Sequence, residues 1–203
     1  MRAIFRAFLV GIALFLFWPF LLIRKHPHKK VDFANNSLII ANHYSNLDPL
    51  LIYLLVPFKE RKKLYFITNE GVKKNPFTRI FCYLFNCLYV NEENIAHNMA
   101  AVREAIDRLK EGQIVVIFPE GVIRPSKNGF FEFNRGFVFM AKRAKSSIYP
   151  LYIYPRATPF TFSDIYFCDK VNYEDIKDKD DIVAAIHVQA KIMNKRAEID
   201  SIN

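Results

Sequence analysis

An α/β domain, a sheet covered by helices, is the fold class this sequence predicts, and three observations carry it. Short apolar runs recur at Leu38-Ile39-Ile40-Ala41, Ile114-Val115-Val116-Ile117-Phe118 and Ile148-Tyr149-Pro150-Leu151-Tyr152-Ile153, each with the length of a buried strand. Longer segments between them carry helix-period apolar spacing, as at Ile95, Met99, Val102, Ile106 and Leu109. The 203 residues show no internal repeat or low-complexity linker and suffice for one domain with a full core plus an appendage. Strands and helices alternating within one unit put helices over a sheet.

The elements follow in chain order. Ala7 to Ile23 carry no charge, and as a helix these 17 residues would extend about 26 Å against a hydrocarbon core of about 30 Å. They read as a membrane anchor, spanning or lying in the interface. A secretory signal is the competing reading, since Arg2 and Arg6 precede the run, but no small-residue cleavage site follows and Arg24-Lys25-His26-Pro27-His28-Lys29-Lys30 comes next. Residues 1–30 are therefore assigned to an anchor with a basic flank, and residues 31–203 to the folded domain. After the strand at Leu38, Asp48-Pro49 reads as an N-cap and first helical residue opening the apolar helix Leu50 to Leu55. Lys63 to Thr68 is a strand, Asn75-Pro76-Phe77 starts a helix reaching Phe85, and Cys87 to Val90 is the next strand. Asn94 to Lys110 is a helix that Glu111-Gly112 ends. Gly136 to Lys145 is helical, Asp164 to Val171 a late strand, and Asp180 to Arg196 a final amphipathic helix.

Composition narrows the partners. A hydrophobic share of 52% with 20 Phe exceeds the globular average, so something besides a core uses apolar surface. Six cations and no acid fall within residues 1–30, which leaves an excess of only three positive charges for the rest. The basicity points to a membrane surface, with the domain on the cytoplasmic side if the anchor spans. Nucleic acid is the weaker reading and is not expected as a partner, because the largest cation cluster abuts an apolar segment and no aromatic-and-basic binding module is present. Cys82, Cys87 and Cys168 are odd in number and lack metal-ligand spacing, which fits reduced thiols in the core.

The chemistry-bearing residues sit at strand ends. His43 and Asp48 follow the first buried strand in Asn42-His43-Tyr44-Ser45-Asn46-Leu47-Asp48-Pro49. On one ideal helix their spacing would splay the side chains about 140° apart, whereas a turn closing at a helix start folds an imidazole back onto a carboxylate. A loop dyad is thus favoured over a helical pair, and Ser45 reads as a turn residue. The strand at Ile114 ends likewise in Phe118-Pro119-Glu120-Gly121, and Phe133-Asn134-Arg135-Gly136 opens a helix. Strand ends on one edge of an α/β sheet are where ligands bind.

These four blocks, His-x4-Asp, Phe-Pro-Glu-Gly, Phe-x-x-Gly and the proline-interrupted strand at Ile148, stand in an order that resembles the glycerolipid acyltransferase family, and within it the 1-acylglycerol-3-phosphate acyltransferases. The likeness covers roughly residues 35 to 155. It implies a mixed sheet of the glycerol-3-phosphate acyltransferase type, and an acyl chain passed from a thioester, acyl-CoA or acyl carrier protein, to a lysophospholipid hydroxyl. No metal or tightly held cofactor is implied, because the thioester carries the activation. A neutral imidazole suits removal of the hydroxyl proton, so His43 is the expected base and Asp48 its orienting carboxylate. No serine nucleophile is implied. Glu120 and Gly121 are expected at the acceptor's glycerol phosphate, with the Gly121 N–H a candidate oxyanion donor.

Departures from the family pattern affect phosphate recognition. The usual arginine lies two residues after the Phe-Pro-Glu-Gly glycine, and here Arg124 comes one later, in Gly121-Val122-Ile123-Arg124. Where relatives carry Gly-x-x-Phe-Ile-x-Arg, this chain has Asn86-Cys87-Leu88-Tyr89-Val90-Asn91-Glu92, and a carboxylate at Glu92 repels a phosphate. Arg124, Arg135, Lys73 and Lys74 are the candidate replacements. A different acceptor head group and a catalytically silent lipid-binding protein are the alternatives. Phe130, Phe131, Phe133, Phe137 and Phe139 fit either a wall for the acyl chain or core packing.

Overall fold

A five-stranded parallel sheet forms the centre of the molecule, and two further strands running the opposite way extend it on one side. In the computed structural model the described residues are 11–12, 15, 22–26, 33, 36–74, 78–79, 82, 85–91, 94–123, 132–154 and 162–201. The strands are β1 (Ile23–His26), β2 (Ser37–Ala41), β3 (Leu64–Asn69), β4 (Asn86–Val90), β5 (Ile114–Ile117), β6 (Ser147–Ile153) and β7 (Ser163–Phe167). Their order is β1-β7-β6-β2-β5-β3-β4, parallel at every pairing except β6 with β7. The helices are α1 (Asp48–Leu55), α2 (Ile95–Lys110), α3 (Gly136–Ala144) and α4 (Asp181–Asp200).

Alternation along the central strands divides the core in two. Ile39 and Ala41 of β2 pack with Leu50, Leu51 and Ile52 of α1 on one face. Leu38 and Ile40 pack on the other with Leu109 of α2, Phe137 of α3 and Val188 of α4. Every residue of β2 is buried, as a strand covered on both faces must be, and its unbroken apolar run is the sequence mark of that position. Each such Ile or Leu contributes about 1.5–3 kcal/mol of burial. Phe133 and Phe137 meet edge-on in this core with centroids 6.4 Å apart, so core packing is their role.

Several expectations are corrected. Leu47 takes the N-cap position of α1 and Asp48 lies inside the first turn, its carboxylate turned back to the preceding loop. Ile95 and Met99 of α2 are exposed, and the buried face runs instead through Ala101, Ala105, Ile106 and Leu109. Asn98 and Val102, in the first two turns of that helix, line a cavity instead. The late strand stops at Phe167, and Val171 re-pairs with Ile148 one residue out of register. Pro150 sits in β6 opposite this break and has no N–H to give, which is where a bulge is accommodated.

β1 is the edge strand of the sheet, although its residues precede the expected boundary at residue 30. Arg24 Nε and Nη2 lie 2.6 and 3.0 Å from the two oxygens of Asp164 on β7, and His26 Nε2 lies 2.7 Å from the same carboxylate. The expected anchor at residues 7–23 lies largely outside the described residues, as does the helix expected from Asn75 to Phe85. Among the described residues no helix is long and apolar enough to cross a membrane.

Candidate active site

The site is built at the C-terminal ends of adjacent parallel strands. β2 and β5 pair in register from Ser37 with Ile114 to Ile40 with Ile117, so the segments that leave them, Asn42-His43 and Phe118-Pro119-Glu120-Gly121, emerge side by side. Asn42 continues the sheet with its side chain. Its Nδ2 donates to Ile153 O at 2.9 Å and its Oδ1 accepts from Ile153 N at 2.8 Å, so the exit of β2 is tied to the end of β6.

The turn that follows brings the histidine and the aspartate together. Asp48 Oδ2 lies 2.8 Å from His43 Nδ1 and accepts the backbone N–H groups of Tyr44 and Ser45 at 2.7 and 2.8 Å. Ser45 is a turn residue, its Oγ accepting from Leu47 N and its carbonyl from Asp48 N. Two backbone amides thus converge on the carboxylate oxygen that faces the imidazole. With that oxygen as its acceptor, the imidazole carries its proton on Nδ1 and keeps the Nε2 lone pair free. The Asp48 side chain is 2% exposed and that of His43 16%, which shelters the carboxylate and leaves the imidazole reachable. The imidazole also stacks on Phe118, with ring centroids 4.2 Å apart and planes 20° apart.

Glu120 is buried, and its Oε1 accepts the His43 backbone N–H at 3.1 Å. Gly121 has φ of +71°, a left-handed conformation that suits glycine. Its N–H donates to Phe118 O at 3.1 Å and closes the turn, so in this conformation it is not presented as an oxyanion donor. Asn134 N donates to Pro119 O at 2.9 Å, which holds the Phe133-to-Gly136 block against the same turn.

His43 opens on a cavity of about 510 Å³ that runs across the ends of β2, β5, β3 and β4. Its wall is mainly apolar, with Phe66, Val72, Phe85, Val102 and Met140, and amides line it at Asn46, Asn69, Asn91, Asn98 and Asn134. Among the described lining residues none is Lys or Arg. Arg135 is exposed and lines a second space of about 600 Å³, on which Glu120, Glu132 and Gln189 also border. Arg124 and Glu92 lie outside the described residues. Lys73 is engaged, 3.1 Å from Glu70 and with its ammonium 3.6 Å from the centroid of the Tyr89 ring. Its hydrogen bond holds the Glu70 carboxyl below the ordinary range.

Comparison with known proteins places this arrangement. The family model described as Acyltransferase matches residues 23–154. The chain belongs to the acyltransferase family. A 1-acyl-sn-glycerol-3-phosphate acyltransferase of Borreliella burgdorferi is 30% identical over 122 residues, 59% of this chain and 46% of that protein. A probable 1-acyl-sn-glycerol-3-phosphate acyltransferase of Mycoplasma genitalium is 30% identical over 117 residues, covering 57% and 43%. The chain thus spans less than half the length of these curated relatives. The crystal structure of the 1-acyl-sn-glycerophosphate acyltransferase PlsC from Thermotoga maritima superposes with a TM-score of 0.71 at 20% identity, covering 98% of this chain and 81% of that one, which shows a shared fold.

Within this acyltransferase the sequence alone did not single out Asn42, Phe118 or the cavity wall. A signal existed for the first two, which flank the strand ends already read as the site. The wall residues on β3, β4 and α2 carry no local mark, because only the strand order brings them to His43. Cys82 and Cys87, read as core, line the cavity.

Proposed function

We propose that this acyltransferase moves a fatty acyl chain from acyl-CoA or acyl carrier protein to the sn-2 hydroxyl of 1-acylglycerol 3-phosphate, making phosphatidic acid for phospholipid synthesis. The observation that carries the reading is the His43 and Asp48 dyad opening on an apolar cavity. His43 Nε2 takes the hydroxyl proton while the acceptor oxygen attacks the thioester carbonyl carbon. The tetrahedral intermediate collapses, the carbon–sulfur bond breaks, and the imidazolium returns its proton to the departing thiolate. Asp48 holds the tautomer and stabilises the imidazolium. The apolar wall holds acyl chain, and the Phe-Pro-Glu-Gly turn borders the reacting groups. The uncharged run before Ile23 and the cations after it would hold the domain at the cytoplasmic face of a membrane.

One observation favours a second acceptor. The described cavity lining offers no Lys or Arg, and Glu92 stands where relatives place an arginine, so a lysophospholipid with a different head group is the alternative. Purified protein in liposomes, given labelled acyl thioesters and a panel of lysolipids, separates the two. Preference for 1-acylglycerol 3-phosphate supports the first reading, and another preferred lysolipid the second. Transfer to none, or transfer undiminished in His43→Ala, rejects the mechanism.

A further inference from the structure

Two cavities meet at the turn that ends β5, and they differ in character. The mainly apolar cavity of about 510 Å³ that His43 faces and the second space of about 600 Å³ share Pro119, Gly121 and Asn134. Both volumes lie within the range of about 300–1,000 Å³ usual for small-molecule sites. The second space is walled by the turn, by the block before α3 and by the first half of α4. These walls are tied together, since Asn134 N donates to Pro119 O at 2.9 Å and Phe133 N to Gln189 Oε1 at 3.2 Å. Its buried end holds Glu120, bonded to the His43 backbone, and its exposed end holds Glu132, Arg135, Ile182 and Ile186. We infer that the second space binds the phosphopantetheine arm of the acyl donor, with the acyl tail in the first cavity and the thioester at the turn between them.

The lining matches the arm group by group. Pantetheine carries amides, a hydroxyl and a paired methyl branch, and ends in a phosphate. The carboxylates of Glu120 and Glu132 accept from its N–H and O–H groups. Ile182 and Ile186, 46% and 56% exposed, cover the methyl branch. The Arg135 guanidinium suits the phosphate.

The order of these groups selects the donor over the acceptor. In 1-acylglycerol 3-phosphate the phosphate sits on the carbon next to the reacting hydroxyl, so its cation would have to stand beside His43. The buried group there is Glu120, and a carboxylate repels a phosphate. In the donor the whole pantetheine arm separates thioester from phosphate, so the cation belongs at the outer end, where Arg135 is exposed. Coenzyme A and acyl carrier protein present the same arm. The assignment rests on the proposed use of an acyl thioester, but binding is measurable without turnover.

The full-length chain in detergent is titrated calorimetrically with unreactive thioethers, octyl-CoA, octyl-pantetheine and octyl-N-acetylcysteamine. Arg135 and Ile186 are both exposed, so substitutions there leave the core intact. Arg135→Glu should weaken octyl-CoA at least tenfold more than octyl-pantetheine, which lacks the phosphate. Ile186→Asp should weaken octyl-CoA and octyl-pantetheine at least tenfold more than octyl-N-acetylcysteamine, which ends before the methyl branch. No loss, or equal losses for all three thioethers, would overturn the inference. In transfer assays Arg135→Glu should raise the donor KM at least tenfold for palmitoyl-CoA, for palmitoyl acyl carrier protein or for both, and the donor affected is the source this site takes. A rise for neither, or a rise in the lysolipid KM instead, would return the space to the acceptor. The expected binding pattern in a chain that transfers no acyl group to any lysolipid would support the site and refute the functional reading alone.

Discussion

The backbone N–H of His43 donates to the carboxylate of Glu120 at 3.1 Å, across 77 positions of sequence. This one bond locks the loop after β2 to the loop after β5 and so sets where the imidazole stands. Glu120 thereby positions the base in addition to any contact with the acceptor. Glu120→Gln keeps an oxygen acceptor and should retain most of kcat, whereas Glu120→Ala leaves a buried donor without this partner and should reduce kcat roughly tenfold further, the scale of about 1–3 kcal/mol for such a loss. Equal kcat in the two variants, measured on the preferred lysolipid, would remove the positioning role.

Asp48→Asn tests the tautomer. An amide oxygen is an uncharged and weaker acceptor for the three groups that meet on the one carboxylate oxygen, from His43, Tyr44 and Ser45, and an amide nitrogen turned toward Nδ1 reverses the imidazole proton. Turnover should fall by about 10³–10⁴-fold, as when an orienting carboxylate is neutralised beside a catalytic histidine. A loss below tenfold in steady-state kinetics would show that Nδ1 is held by something else.

Asn42→Ala should be a stability variant as much as an activity one. It strips a buried partner from both the N–H and the carbonyl of Ile153, at a cost of about 2–4 kcal/mol from two unmade hydrogen bonds. Urea unfolding reads this as a lower midpoint with an unchanged slope. An unchanged midpoint would mean that the β2 and β6 ends hold together without the amide.

Asp164 gives a pH test of the sheet edge. Burial raises its carboxyl, but the hydrogen bonds from Arg24 and His26 outweigh this and leave it below the ordinary carboxylate value. A depressed folded-state value contributes stability that is fully present above the unfolded value of about 3.9 and is lost as pH falls through the folded one. Asp164→Asn should therefore lower Tm at neutral pH, with the difference from the unsubstituted chain shrinking only below about pH 4. A pH-independent difference would assign the effect to packing of β1.

Much of the fold was legible because burial on both faces writes itself into sequence: β2 and β5 are apolar runs and β6 is one interrupted only by Pro150 after its opening serine, and the turn residues after β2 and β5 mark where chemistry collects. The α2 stripe misled at Ile95 and Met99, since periodicity shows which residues share a face but not where the sheet beneath that face begins. Likewise Asp48 before Pro49 satisfies the local rule for a cap, while the carboxylate takes three donors offered by the loop.

By itself the sequence determined most strand and helix types, the family and the proposed pairing of His43 with Asp48, because these depend on local pattern and residue chemistry. Only the tertiary structure decided that Glu120 grips the His43 loop, that Gly121 spends its N–H on its own turn, and that Cys82 and Cys87 face the cavity rather than the core. Those outcomes depend on strand order, which sets β5 beside β2 and ranges β3 and β4 beyond it through contacts between residues distant in the chain, and no local pattern encodes which strands become neighbours.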